Sequence, residues 1–459
     1  MPAERTPVAA SDLAHLLHPY TNLERHAETG PLVIVRGEGV RVFDEQGRDY
    51  IEALAGLWCT ALGWGEERLA RVAAEQMREL SFYHLFGSKT HGPAVRLAEA
   101  LAAVAPVPDA RVFLANSGSE ANDTAIKLIW YLNNALGRPA KKKIIARQRA
   151  YHGVTVATGS LTGLPANHAS FDLPIPGVLR VACPHYWRDG RPGETEEQYS
   201  ARLAAELEEL ILAEGPDTVA AFFAEPVMGA GGVIVPPAGY FERIQAVLRQ
   251  YDVLLVADEV ITGFGRTGNL FGCETYGIRP DMMTVAKGLS SGYLPVSALL
   301  VKGELYAPVA REAGRIGTFG HGLTYGGHPV PAAVAVETLA IYRERDILGH
   351  VRRVAPAFQA GLRALQQHPL VGEARGIGLI GAVELVADKD GKTPFAPSRA
   401  VGARVAAKAQ DHGVILRAMG DAVAFSPPLV ISENEIELMF RRFRDALDDA
   451  YSEVLAGTL

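Results

Sequence analysis

Between residues 111 and 301 the chain switches repeatedly from short apolar runs to stretches whose apolar residues recur every three to four positions. The apolar runs are RVFLA at 111–115, a run at 143–147, another at 219–224, VLLVA at 253–257, MTVA at 283–286 and VSALLV at 296–301. Runs this short and this continuous predict strands covered on both faces of a parallel sheet. The stretches at 121–136, 201–213 and 239–250 have helical spacing. Their alternation with the runs predicts right-handed βαβ units and one mainly parallel sheet.

The flanking regions read differently. Ser11 ahead of DLAHLL predicts a short capped helix stopped by Pro19. Residues 32–51 alternate apolar and polar positions, which predicts small antiparallel strands. Helical spacing returns at 67–80, 93–104 and 331–345, and the last third mixes helices with short strands. The expected organisation is an arm and part of a small domain at 1–65, a large α/β domain at 66–330 and a smaller α+β domain at 331–459.

Composition narrows the class. A chain of 459 residues with 48% hydrophobic and 21% charged residues is ordinary for a globular enzyme. A net charge of −7 without a basic arm argues against a nucleic-acid partner. The one basic run, Lys141-Lys142-Lys143, reads as a solvated strand entrance. Three dispersed cysteines suggest neither a disulfide framework nor a structural zinc site. With acids and a proline where a signal peptide would be apolar, and no apolar run near about 18 residues, a cytoplasmic protein is expected.

Chemistry concentrates at strand ends. Asp258 closes the run at 253–257, and Lys287 follows MTVA in the small-residue context Ala-Lys-Gly. Ligands of open α/β sheets bind outside the carboxyl ends of the strands, so both side chains can reach one edge. A partly desolvated lysine can form a Schiff base, and an acid can keep a pyridine nitrogen protonated. Pyridoxal phosphate needs both. VLLVADE also resembles the magnesium-binding run of P-loop nucleotidases, but the only Gly-Lys-Thr, at 391–393, has Val386 where the loop needs its first glycine. Gly376-Ile377-Gly378-Leu379-Ile380-Gly381 matches the dinucleotide pattern; it is expected to have no strand before it and a strand, not a helix, after it.

Other candidates surround this pair. Asn116-Ser117-Gly118-Ser119-Glu120 joins a strand to a helix, a geometry that can cap the helix and hold a phosphate. Tyr151 and His152 follow another strand; the tyrosine can lie on a cofactor ring, and the histidine reads more readily as structural than catalytic. Trp58, in the glycine-rich LAGLWC stretch, is either core or pocket wall. Arg417 ends a strand pattern, where a guanidinium is either solvated or holds a substrate carboxylate.

Together these marks resemble the class III (omega) aminotransferases, fold type I pyridoxal phosphate enzymes. They are NSGSEAND at 116–123, YHG at 151–153, EPV at 225–227, ADEVITGFGRTG at 257–268, AKGLSSGYLP at 286–295 and TYGGHP at 324–329. LAGLWC, AYHGVTVATGSLTG and GAGGVIVPP are most similar to the amine:pyruvate branch. The resemblance implies a seven-stranded, mainly parallel sheet, and pyridoxal 5′-phosphate bound covalently to Lys287, which also shuttles the proton. It implies Asp258 at the pyridine nitrogen, Ser117, Gly118 and Ser119 at the phosphate, Tyr151 stacked on the ring, and Val260 against its other face. His152 belongs to the implied cofactor site, and Glu225 is its supporting acid. It further implies a homodimer with active sites at the interface, or a tetramer, with Thr324 of the other subunit joining the phosphate site. Leu57, Trp58 and Phe86 would wall the substrate pocket, and Arg417 would grip the carboxylate of pyruvate. Ornithine- and GABA-type relatives usually carry a glutamate where this chain has Ala230, which favours amine:pyruvate transamination. Donation by β-alanine or taurine, an aminomutase or decarboxylase, and a non-catalytic cofactor-binding regulator are the alternatives.

Overall fold

The computed structural model describes residues 5–457. Its centre is a seven-stranded sheet in the order Arg111–Ala115, Ser297–Val301, Met282–Val285, Leu254–Asp258, Val219–Ala224, Lys143–Arg147, Val178–Val181. Only Ser297–Val301 runs against its neighbours. The carboxyl ends of Arg111–Ala115, Lys143–Arg147, Val219–Ala224, Leu254–Asp258 and Met282–Val285 therefore meet at one edge. The central strands are buried throughout, as in Val219–Ala224 and Met282–Val285, because helices cover both faces and no position meets water. Strand Val178–Val181 has no sequence prediction. It is a half-buried edge strand with an arginine in four residues, so it lacks the continuous apolar signal.

Two smaller sheets flank this core. Ile34–Glu38, Arg41–Asp44 and Asp49–Glu52 form the expected antiparallel strands, joined in parallel by Val414–Ile415 from near the other end of the chain. The second contains Val371–Ile377, Ile380–Leu385, Ala422–Phe425 and Arg417–Met419. A strand does precede Gly378, contrary to expectation. It pairs Gly376 with Gly381 and Ile377 with Ile380 in a hairpin whose turn residue Gly378 has φ +55°. Antiparallel hairpin partners leave no helix amino terminus, so this glycine pattern forms no dinucleotide site.

Three local expectations are corrected. The first helix is Pro7–His15, capped by Thr6 rather than Ser11, because Pro7 occupies the first helical position, where its missing N–H costs nothing. Helix Glu196–Glu214 begins before position 201 because Thr195 and Gln198 form a reciprocal capping box. Lys141 is not solvated: it is buried, and its ammonium donates to the carbonyls of Pro216 and Tyr251. Among the described residues no helix is long and apolar enough to cross a membrane.

Candidate active site

The carboxyl edge of the large sheet opens into a cavity of about 320 Å³, within the range typical of small-ligand pockets. Ser117, Gly118, Ser119, Tyr151, His152, Glu225, Asp258, Val260 and Lys287 all line it. Each sits at or just past a strand end, so the sheet rather than a loop sets their spacing.

Asp258 is buried and held on every side. Its Oδ2 accepts from His152 Nδ1 at 2.8 Å and from Asn122 Nδ2 at 2.8 Å, and its Oδ1 accepts the Val260 amide at 3.1 Å. Burial alone would raise its pKa, but these hydrogen bonds, led by His152, bring it below the usual carboxylate range. An ionised carboxylate fixed in this way suits a cationic ligand atom. Asn122 comes one helical turn after Ser119, so the helix that presents the serine also presents the amide. The sequence motif contains Asn122, yet nothing in its spacing singles it out.

Lys287 starts a single helical turn after strand Met282–Val285, with φ +46°. Left-handed backbone at a non-glycine residue stores strain that the surroundings must hold in place. Among the described residues its ammonium has no carboxylate within 4.0 Å and no hydrogen bond. Burial lowers its pKa, against the pull of Cys59, Asp258 and Glu225. The amine is thus partly desolvated and free to react.

Opposite the carboxylate lies the strand-to-helix turn. Ser117 caps helix Gly118–Ala135 by accepting the Glu120 amide at 3.2 Å, while Glu120 accepts the Asn116 amide at 2.8 Å. A Cβ on Gly118 would lie 3.0 Å from Val260, and one on Gly153 2.6 Å from Ser119 Oγ. Both glycines keep this floor thin enough for a bound group to approach the helix amides. Glu225 lines the site and has no ion pair among the described residues. Its two oxygens accept the Tyr151 amide at 3.1 Å and the Gly229 amide at 2.9 Å, and burial raises its pKa.

Arg417 does not itself line this cavity, but it is close enough for its charge to act on Lys287. Its guanidinium lies 5.5 Å from the ring centroids of both Trp58 and Tyr20. Among the described residues it has neither a hydrogen bond nor an ion pair, and burial lowers its pKa. Tyr20 is a residue the sequence did not reveal; only the turn that folds the arm back brings it here. Trp58 proves to be core: it is 3% exposed in a cluster with Leu54, Val227 and Ile261, does not line the cavity, and has Arg417 packed over its ring. Leu57, Phe86 and Thr324 are exposed and do not line this cavity. Phe86 instead packs beneath Gly322 in the loop that carries Thr324.

Glu52 underlies the Trp58 turn, accepting the Gly56 amide, and burial pushes its pKa up to about 7. Because folding raises this pKa, protonated Glu52 favours the fold. That contribution is complete below pH about 4.5 and is lost as pH rises through about 7. Thermal melts of the Glu52→Gln variant are therefore expected to flatten the decline in stability across this window, by up to about 3 kcal/mol. An unchanged slope would contradict the assignment.

The donor set fits pyridoxal phosphate: a fixed carboxylate for the ring nitrogen, an unpaired amine for the aldehyde, and a hydroxyl-rich helix start for the phosphate. His152 Nε2 and Asn122 Oδ1 are also buried without partners at this wall. Fold and site together define a fold type I pyridoxal phosphate enzyme. The family model for class III aminotransferases matches residues 23–447, and the chain belongs to that family. It is 51% identical to the tomato (Solanum lycopersicum) gamma aminobutyrate transaminase 3, chloroplastic, over 96% of this chain and 85% of that one. The omega transaminase from Pseudomonas jessenii in complex with PMP superposes with a TM-score of 0.96 at 53% identity, covering 99% of this chain and 100% of that chain. A thermostable omega transaminase variant with a tryptophan, a phenylalanine and an arginine replaced, engineered for asymmetric synthesis of enantiopure bulky amines, matches with a TM-score of 0.96 at 53% identity over 97% and 100% of the two chains. The protein is an aminotransferase that uses pyridoxal phosphate.

Proposed function

We propose that this transaminase takes nitrogen from a primary amine or omega-amino acid and delivers it to pyruvate, releasing an aldehyde or ketone and alanine. The observation that carries the reading is Arg417, a half-buried guanidinium that has no counter-ion among the described residues and whose charge acts on Lys287. A buried charge without a partner is costly unless a ligand supplies one, and a carboxylate matches the guanidinium fork. The apolar and aromatic surroundings of Trp58 suit the other half-reaction, in which the donor need bear no charge.

When bound, the cofactor supplies an electron sink for the charge left on the substrate carbon. Asp258 would keep the ring cationic, Ser117 to Ser119 would anchor the phosphate, and Lys287 Nζ would move the proton between the two carbons. Tyr151, whose amide donates to Glu225, would pack on the ring. The exposed Thr324 loop, with Phe86 against it, supports a homodimer in which each subunit lends this loop to the other's phosphate site.

A second reading is GABA as the donor. It is supported by the 51% identity to a gamma aminobutyrate transaminase, against which the substitution at Ala230 is a weak argument. Here Arg417 would serve the carboxylates of donor and acceptor alike.

Replacing Arg417 with leucine tests the assignment. Loss of a charge-assisted contact worth about 1.5–3 kcal/mol predicts a fall of roughly 10- to 100-fold in kcat/KM for pyruvate. The half-reaction with an uncharged arylalkyl amine, followed as pyridoxamine phosphate formed, is expected to change by much less. Equal losses in both half-reactions would remove Arg417 from carboxylate binding.

A further inference from the structure

The amino-terminal arm carries a side-chain cluster that transamination does not use. Asp12 lies on helix Pro7–His15, His26 on helix Leu23–Thr29, and His18 in the link between them. His18 Nε2 is 2.9 Å from both oxygens of Asp12, and His26 Nε2 is 3.1 Å from Oδ2. The two imidazole rings are 4.2 Å apart between centroids. One donor atom from each of the three residues falls within 4.8 Å of the others.

We propose that Asp12, His18 and His26 form a binding site for a divalent transition-metal ion, with zinc as the reference ion. Two imidazoles and a carboxylate converging from one side are a donor set that zinc and its neighbours favour over calcium or magnesium. With metal–ligand bonds of about 2.0–2.2 Å, tetrahedral ligands are separated by roughly 3.3–3.5 Å. The observed nitrogen–oxygen separations need open by only a few tenths of an ångström to admit the ion. All three side chains are partly open to solvent, at 12%, 28% and 13% exposure, which gives a path of entry and room for water as a further ligand. Among the described residues the Asp12 carboxylate meets only these two imidazoles, so no arginine or lysine neutralises it.

The other candidate cluster, His185 with Glu373 and Glu384, differs on this point. Arg375 donates to Glu373 at 2.6 Å and to Glu384 at 2.7 Å, so its carboxylates are already neutralised.

The metal would act on the arm. The link between the two helices also carries Tyr20, at φ +50°, whose hydroxyl accepts from Asn167 Nδ2 at 2.5 Å and whose ring lies under Arg417. Clasping Asp12 to His18 and His26 fixes both ends of the turn that bears Tyr20.

The experiment uses tag-free holoenzyme, freed of metal with a chelator and titrated with cobalt(II), whose visible absorption reports its ligands, and with zinc in competition. Wild-type protein and a His15→Gln control, an exposed histidine outside the cluster, are expected to bind one ion per chain alike. Asp12→Asn, His18→Gln and His26→Gln are each expected to weaken binding by roughly tenfold or more. Zinc should also slow amide hydrogen exchange in residues 5–29 of the wild type and not of the variants. Three variants are compared, so a folding defect in one, seen in its melt without metal, leaves the others to decide. Affinities equal to wild type in the well-folded variants, or no saturable binding at all, would overturn the proposal and leave the cluster as an ion pair only.

Discussion

Lys287→Ala is expected to lower alanine formation by on the order of 10³-fold or more and to abolish the lysine-linked absorbance of the purified holoenzyme. The size follows from the loss of two roles at once. Positioned proton transfer alone contributes about 10²–10⁴-fold, and the covalent attachment adds to it. The structure shows why no neighbour substitutes. The lysine is held at φ +46°, and among the described residues no other lysine lines the cavity. Cys59, the thiol in the same lining, has its pKa raised by burial, against the pull of Lys287. A Lys287→Arg variant keeps the charge without a usable nucleophile and is expected to be as inactive. Substantial turnover by either variant would contradict the role.

Asp258→Asn is expected to cost on the order of 10²–10³-fold in kcat, the range for removing one preorganised electrostatic group from a water-poor site. The side chain keeps its shape, so the contacts from His152 and Asn122 are retained in part while the negative charge is lost. Cofactor binding should largely persist, since Ser117 to Ser119 and Lys287 are untouched. The readout is therefore a split: near-full cofactor occupancy by absorbance with a collapsed kcat. A variant with full occupancy and wild-type kcat would show that the charge on Asp258 does not tune the ring.

The sequence made the large sheet legible because its central strands are buried on both faces and carry an unbroken apolar signal. The strand Val178–Val181 was not legible because an edge strand needs no such signal. Asp258, Lys287 and Ser117 to Ser119 stood out because each follows directly on a strand, where chemistry and chain position coincide. The grip on Asp258 did not stand out. His152 read as a structural histidine, and in the fold it is one of the residues that hold the Asp258 carboxylate, at 2.8 Å across more than a hundred residues of chain. Tyr20 was invisible for the same reason: it meets Arg417 through long-range packing that no local spacing records. The strand before Gly378 was missed because the glycines that pair in its hairpin weaken its apolar pattern.

The most direct test of the whole account is a two-step single turnover on the wild-type holoenzyme. A chosen amine donor is added in stoichiometric amount, the product is separated, and pyruvate follows. The account predicts complete loss of the lysine-linked absorbance in the first step, its return in the second, and one alanine formed per active site. A chromophore that never forms, or that converts with the donor and is not restored by pyruvate, would contradict it.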